Sequence, residues 1–249
     1  MRDFNTAGPC IKRWHYMIDS LERIRGVDML IDGGKYFVLH AARQSGKTTF
    51  IQDLTVQLNT EGRYYAVYCS LESLQGVTDA EKGLPAIVKR LKDALESQKI
   101  VNASSFAANI DFDDYTGILK KSVEDYCVSL DRPLVIFFDE ADCLSENTLI
   151  VFLRQLRDGH NSRSFSAFAH SVALVGMRNI RDFKAKIRPD SETLGSASPF
   201  NIVTEILTLT NFTKDEISEL YAQHTAETGQ KFDDDAIDFI YTQTCGQPW

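Results

Sequence analysis

The apolar run Tyr36-Phe37-Val38-Leu39-His40 passes without a break into Ala41-Ala42-Arg43-Gln44-Ser45-Gly46-Lys47-Thr48, after which Phe50, Ile51, Leu54 and Leu58 recur at helical spacing. These three stretches dictate a buried strand that turns through a loop of mostly small residues into an amphipathic helix. At the joint, backbone N–H groups of the turn and of the first helical turn point into one small volume, and the helix dipole adds positive potential there. Such a volume suits a polyphosphate. Lys47 would reach the β- and γ-phosphates as a point charge, Gly46 would let the backbone approach closely, and the Thr48 hydroxyl would ligate Mg²⁺. The candidate nucleotide contacts are therefore Ala41, Ala42, Arg43, Gln44, Ser45, Gly46, Lys47, Thr48 and Thr49. The pattern G-x-x-x-x-G-K-[ST] is broken at its first position, where Ala41 replaces Gly, so the flanking strand and helix carry the assignment.

A loop of this kind calls for an acidic partner elsewhere in the chain. Pro133-Leu134-Val135-Ile136-Phe137-Phe138 is a continuous apolar run, as expected of a central parallel strand covered on both faces, and it ends in Asp139-Glu140. An Asp at the tip of such a strand can hold Mg²⁺, and the acidic residue after it can orient and deprotonate an attacking water. Asp139 is assigned to the metal and Glu140 to the base.

Composition sets the outer limits. The 249 residues are enough for a full core and for one or two domains. Acidic residues outnumber basic ones, 35 to 27, for a formal charge of −8, which argues against coating nucleic acid through net charge while leaving a local basic patch open. Cys10, Cys69, Cys127, Cys143 and Cys245 are scattered and odd in number, with no C-x-x-C pair, which suggests reduced thiols in a cytoplasmic protein, not a disulfide framework or a zinc site. No apolar stretch approaches the ~20 residues of a membrane span, and the N-terminus lacks the layout of a secretory signal.

Along the chain, strands and helices alternate as they do where a sheet has parallel neighbours. Residues 64–71 read as a second strand, and residues 79–99 as a helix with Leu84, Ile87, Val88, Leu91 and Leu95 inward. A further helix is expected over Asp113–Leu130 after a loop at 102–111, with Ile118, Leu119 and Tyr126 inward. Another, marked by Leu149, Phe152, Leu153 and Leu156, is expected to stop near Gly159. Residues 171–177 and 203–209 read as the last two strands. Thr213-Lys214-Asp215-Glu216 is a capping box opening a helix with Ile217, Leu220, Tyr221 and His224 on one face, and a second helix runs from about Asp234. Residues 1–210 are thus expected to form the α/β domain and 211–249 the start of a helical lid. Because Pro248 would suit the first turn of another helix, the natural protein is expected to continue past Trp249.

These motifs, together with a strand ending Gly176-Met177-Arg178-Asn179 and a terminal Gly246-Gln247-Pro248, resemble the AAA-like ATPases, nearest to the prokaryotic AAA-like domain proteins related to the STAND and Orc-type groups. The likeness spans nearly the whole chain, including Phe4 to Pro9 and Ser198 to Asn201. It implies a three-layer P-loop NTPase with a central parallel five-stranded sheet of ASCE-type order, in which another strand separates the Asp-Glu strand from the loop strand. It implies that Arg178 and Asn179 sense the γ-phosphate, that Gly246 and Pro248 lie near the adenine, and that Gly8, Pro9 and the residues to Ile11 flank the base. ATP and Mg²⁺ are the ligands implied.

Asp139-Glu140-Ala141-Asp142 also spells the DEAD-box tetrad, but Val175-Gly176-Met177-Arg178 stands where the Ser-Ala-Thr motif of those helicases should lie, and the chain is too short for their second domain. The guanine-specifying motif of GTPases is missing. His40 is read as a packed or hydrogen-bonded residue, and the acidic runs at 111–114 and 233–235 as helix caps. Among Arg154, Arg157, Arg163 and Arg181, Arg157 and Arg163 lead as candidates for an arginine finger supplied to a neighbouring subunit. The expected function is a Mg²⁺-dependent ATPase whose cycle drives a conformational or oligomeric switch. A DNA-associated Orc-like or transposition-helper role and a non-hydrolysing nucleotide-bound scaffold stand beside it. Partners stay open among a homo-oligomer, nucleic acid and another protein, with no membrane.

Overall fold

The computed structural model describes residues 1–19, 23–24, 26–176 and 203–248. The chain forms two compact units. The sheet unit holds residues 26–40 and 55–207; the loop unit gathers residues 1–25, 41–54 and 208–249.

In the sheet unit, β1 (Tyr36–His40), β2 (Tyr65–Ser70), β3 (Leu134–Asp139), β4 (Ser171–Gly176) and β5 (Val203–Thr208) form one parallel sheet in the order β2-β3-β4-β1-β5. Every residue of β3 and β4 is buried, which is why both are unbroken apolar runs and not alternating ones. The expected separation holds: β4 lies between the strand ending in Asp139 and the strand that leads into the phosphate loop. Phe138 is level with Leu174, and Leu174 with Val38, so Asp139 and His40 end at the same edge of the sheet.

Three helices complete the main core. α1 (Val27–Asp32) precedes β1, and α2 (Lys47–Glu61) follows the loop. α3 (Ala80–Ser97), α4 (Ile118–Val128) and α5 (Glu146–Ser162) pack with the sheet in one apolar cluster that includes Leu84, Ile87, Leu91, Val123, Phe152 and Leu156. The five apolar positions that define the helical period of α3 are all fully buried. In the loop unit, α6 (Lys214–Thr228) and α7 (Asp234–Thr244) pair with each other. The capping box opening α6 is complete: Thr213 Oγ1 accepts from Glu216 N, and Glu216 Oε2 accepts from Thr213 N at 2.6 Å. Asp233 caps α7 by accepting from Ala236 N at 2.9 Å.

Local details depart from the sequence reading for identifiable reasons. α4 begins at Ile118, not at Asp113. Asp111 and Asp114 spend their carboxylates on turns, accepting from the backbone N–H groups of Asp113 and Thr116. The first free N–H groups of α4 are capped from outside, since Gln155 Oε1 on α5 accepts from Leu119 N at 2.8 Å and from Lys120 N at 3.2 Å. α5 runs through Gly159 to Ser162, and the glycine is there for packing, not as a stop. α1 escaped the sequence reading because it is only six residues long and its N-cap, Gly26, makes no side-chain cap. His40 is half-buried, and its Nδ1 has no hydrogen-bond partner among the described residues, so the packed reading applies.

Arg163 is not an exposed finger. Its Nη1 donates to the carbonyls of Gly34 at 3.0 Å and His170 at 2.7 Å, its Nε donates to that of His160 at 3.2 Å, and its guanidinium lies over the Tyr36 ring. It therefore serves as a tie between segments of the sheet unit. A Cβ on Gly159 would lie 2.3 Å from a carbon of the Phe168 ring. Gly159→Ala is accordingly expected to destabilise the protein by about 1–3 kcal/mol through overpacking, read as a lower urea midpoint. An unchanged midpoint would mean that the ring yields without cost.

Candidate functional site

The two sequence motifs fall in different compact units. In the loop unit, the chain turns from Ala41 into α2 through two left-handed residues, Gln44 at φ 60° and Gly46 at φ 90°. Glycine is the residue that adopts this backbone freely, and Gly46 stands where it is needed. Ala41 does not have positive φ and its methyl group is buried, so replacement of the pattern's first glycine costs the backbone nothing here.

Lys47 is the first residue of α2. Its ammonium is folded back across the loop, donating to the carbonyls of Ala41 at 3.0 Å and Ala42 at 2.7 Å, and the residue is 6% exposed. Ser45 is 1% exposed, and its hydroxyl has no hydrogen-bond partner among the described residues. A buried hydroxyl without a partner costs roughly 1–3 kcal/mol, which an incoming acceptor would recover. A positive-φ turn, this hydroxyl and a buried cation at the N-terminus of a 15-residue helix are together chemically fitted to an anion with several oxygens.

Both chain ends meet this loop within the loop unit. Cys10 N donates to Thr49 Oγ1 at 3.0 Å, which sets the Gly8 to Ile11 segment against the first turn of α2. Gly8 itself has φ 69°, and its carbonyl accepts from Asn5 Nδ2. At the other end, Gln247 Nε2 donates to the Arg43 carbonyl at 3.1 Å, next to Pro248. Gly246 is obligatory there: φ is 74°, and any Cβ would overlap the backbone oxygen of Phe212. The loop, the Gly8–Ile11 segment and the Gly246–Pro248 segment thus belong to one cluster.

In the sheet unit, Asp139 is 1% exposed at the end of β3. Tyr68 Oη, from the neighbouring strand β2, donates to its Oδ2 at 3.1 Å, and the backbone N–H of Glu140 donates to its Oδ1 at 2.9 Å. Burial, and then the Asp139 charge, push the Tyr68 hydroxyl well above its ordinary pKa, so it stays a proton donor throughout the neutral range. Glu140 has φ 55° and ψ 35°, a left-handed conformation that costs a residue with a Cβ about 1–3 kcal/mol and concentrates at functional sites. The Cys143 thiol, beside this pair, is pushed up to about 12, chiefly by burial, which keeps it protonated and poorly nucleophilic. Among the described residues, no three of His, Cys, Asp and Glu gather into a metal-binding group. A hard cation that draws most of its oxygens from water and phosphate needs only one or two protein carboxylates, and Asp139 is of that type.

Arg178 and Asn179, the expected γ-phosphate sensors, lie outside the described residues, as do Arg181 and the Ser198 to Asn201 segment. Sequence reasoning missed Tyr68. Its position in β2 is a half-buried aromatic in a strand, and only the pairing of Tyr68 with Phe137 shows that it reaches the carboxylate two residues further along β3.

A family model described as an AAA domain matches residues 31–183. No curated protein matches the sequence. Among solved structures, a Walker-type ATPase of Pyrococcus abyssi is similar at a TM-score of 0.64 and 17% identity, covering 98% of this chain and 68% of that one. The ORC1 protein of Aeropyrum pernix, solved in complex with DNA, is similar at 0.52 and 13%, covering 92% of this chain and 55% of its own. Cdc6p of Pyrobaculum aerophilum follows at 0.51 and 15%, with 89% and 52% covered. At these identities the likeness is one of fold, and the chain spans about half the length of the last two proteins.

Replacing Tyr68 by Phe removes the side-chain donor to Asp139 while leaving the ring in place. The expected result is a loss of about 1–2 kcal/mol, seen as a fall of a few degrees in Tm. An unaltered Tm would show that the hydroxyl does not hold the carboxylate.

Proposed function

The chain belongs to the AAA family, and from that premise we propose that it is a Mg²⁺-dependent ATPase whose nucleotide state drives a conformational or oligomeric switch. The observation that carries this reading is the loop from Ala41 to Thr48, with left-handed turns at Gln44 and Gly46, the buried Ser45 hydroxyl and the folded-back Lys47 ammonium at the head of α2. Each is a device for holding a polyphosphate by backbone N–H groups and one cation.

The proposed roles follow from chemistry. Lys47 and the loop amides would bind the phosphates, releasing the Ala41 and Ala42 carbonyls from the ammonium. Thr48 and Asp139 would hold Mg²⁺, which when bound neutralises charge on the phosphates. Tyr68 would keep the Asp139 carboxylate in one orientation. Glu140, fixed in its strained backbone conformation, would accept the proton of the attacking water. Arg178 and Asn179 would report the γ-phosphate. Gly8 and Pro9 on one side and Gly246 and Pro248 on the other would flank the base, and residues 211–249 would act as the start of a lid. Arg43 and Thr49 touch these flanking segments through the Gln247 and Cys10 contacts, which supports placing the base there.

The output is read as a switch in preference to a grip on DNA for two reasons. The net charge is −8, and Arg163, one of the arginines named on either side of the fourth strand, is occupied by backbone carbonyls. Among the described residues, no helix is long and apolar enough to cross a membrane.

Mg-ATP at a hundredfold excess over its Kd should raise Tm by about 5–10 °C, and Lys47→Ala should abolish that shift. A shift that survives the substitution would refute the loop as the binding site. Glu140→Gln should retain ATP binding and lose turnover by at least about 100-fold; equal turnover would remove Glu140 from the mechanism. Turnover measured with and without duplex DNA decides the role: stimulation by DNA would favour the Orc-like reading, and tight binding without turnover the scaffold.

A further inference from the structure

Arg23 lies before the first strand, in a stretch that no motif marks. In the structure its side chain is only 5% exposed, and three groups from the approach to α6 and from its first turn surround it. Nε is 3.3 Å from Glu216 Oε1, Nη2 donates to the carbonyl of Thr210, and the ring of Phe212 lies 4.5 Å from the guanidinium carbon. Nη1 faces a different element. It lies 3.6 Å from the point that a Cβ on Gly46 would occupy, beside the residue that precedes Lys47 in the phosphate loop. All of these residues belong to the loop unit.

One buried cation therefore stands between a carboxylate and a loop built for an anion. The carboxylate is itself committed to α6: Glu216 Oε2 closes the capping box on Thr213 N while Oε1 faces Arg23. A guanidinium remains charged under any condition in which a protein is folded, and its planar fork can serve two acceptors at fixed angles. A polyphosphate seated at Gly46 and Lys47 would bring several negative oxygens to the Nη1 side, in competition with Glu216 on the Nε side.

We propose that Arg23 is a phosphate-contacting residue that couples the bound nucleotide to the first turn of α6, by sharing its guanidinium between the polyphosphate and Glu216. The proposal rests on the nucleotide-binding reading given above. The triphosphate, with more charge at the far end of the loop, draws the guanidinium more strongly than the diphosphate does. The Glu216 contact then weakens and the start of α6 loosens. Nucleotide state is thereby read by the helical pair from within the same chain, with no residue from a neighbouring subunit.

The test uses the full chain with Mg²⁺ and a non-hydrolysable ATP analogue or ADP. Affinity is read by calorimetry, and amide hydrogen exchange is followed over residues 213–220. Arg23→Gln should weaken the ATP analogue by roughly ten- to a hundredfold, as expected for loss of a charged hydrogen bond, with a smaller loss for ADP. It should also erase the exchange increase that the analogue causes in the wild-type chain at the start of α6. Glu216→Gln keeps an acceptor for the capping box but frees the guanidinium, so it should bind the analogue several-fold more tightly and show no further exchange response. An Arg23→Gln chain with wild-type affinities, or one that keeps the exchange response, overturns the proposal. Should Arg23→Gln fail to fold, Glu216→Gln decides, and unchanged affinity there overturns it equally. A wild-type chain that binds the analogue no better than Lys47→Ala refutes the nucleotide reading, and this proposal falls with it.

Discussion

The abrupt passage from a buried strand, through a left-handed turn, to the head of a helix organises this molecule. β1 can lie inside the sheet only because its side chains are apolar on both faces, and the chain must leave it abruptly. Gln44 and Gly46 supply the abrupt turn, and α2 supplies the row of N–H groups that follow it. The backbone donors at a helix start have no partners within the helix, so something outside must satisfy them. In this loop that demand coincides with a buried hydroxyl on Ser45 and an ammonium that already bonds two carbonyls. The local structure is therefore organised around negative charge.

The acidic end of β3 shows how the same sheet fixes a second functional group by different means. Parallel pairing sets β2 and β3 in a register that carries the Tyr68 hydroxyl to Asp139. A carboxylate that accepts from both a phenol and a backbone N–H has little freedom to rotate, and Asp139 is held in one orientation. Glu140 is positioned at a cost. Its left-handed backbone is affordable because the flanking residues are anchored, with Asp139 in the sheet and Cys143 N bonded back to the Glu140 carbonyl.

Much of this was legible in the residues. The strands, the capping box of α6, the Asp233 cap of α7 and the interposed fourth strand follow from hydrophobic period, cap chemistry and the likeness to AAA-like ATPases. Apart from the short α1 and the turns at Asp111 and Asp114, what was hidden depends on contacts outside the window of a local motif. The start of α4 is set by Gln155 from another helix, and Gly159 is demanded by Phe168 and not by a helix end. Arg163 looked available for a neighbour, yet three backbone carbonyls of the fold occupy it. The tie between Gln247 and Arg43 joins two residues more than two hundred positions apart.

Local residue patterns suffice for the five strands, most of the helices and the chemistry of the two motifs, because strand burial, helix period and turn formation are decided within a window of a few residues. Long-range packing alone brings the phosphate loop together with segments near both termini, Tyr68 to Asp139, and Arg23 between Gly46 and Glu216. A hydrogen bond or an ion pair is fixed by distance in space. The Tyr68 phenol and the Arg23 guanidinium have no such partner beside them in the chain, and acquire one when packing brings remote segments within about 3 Å.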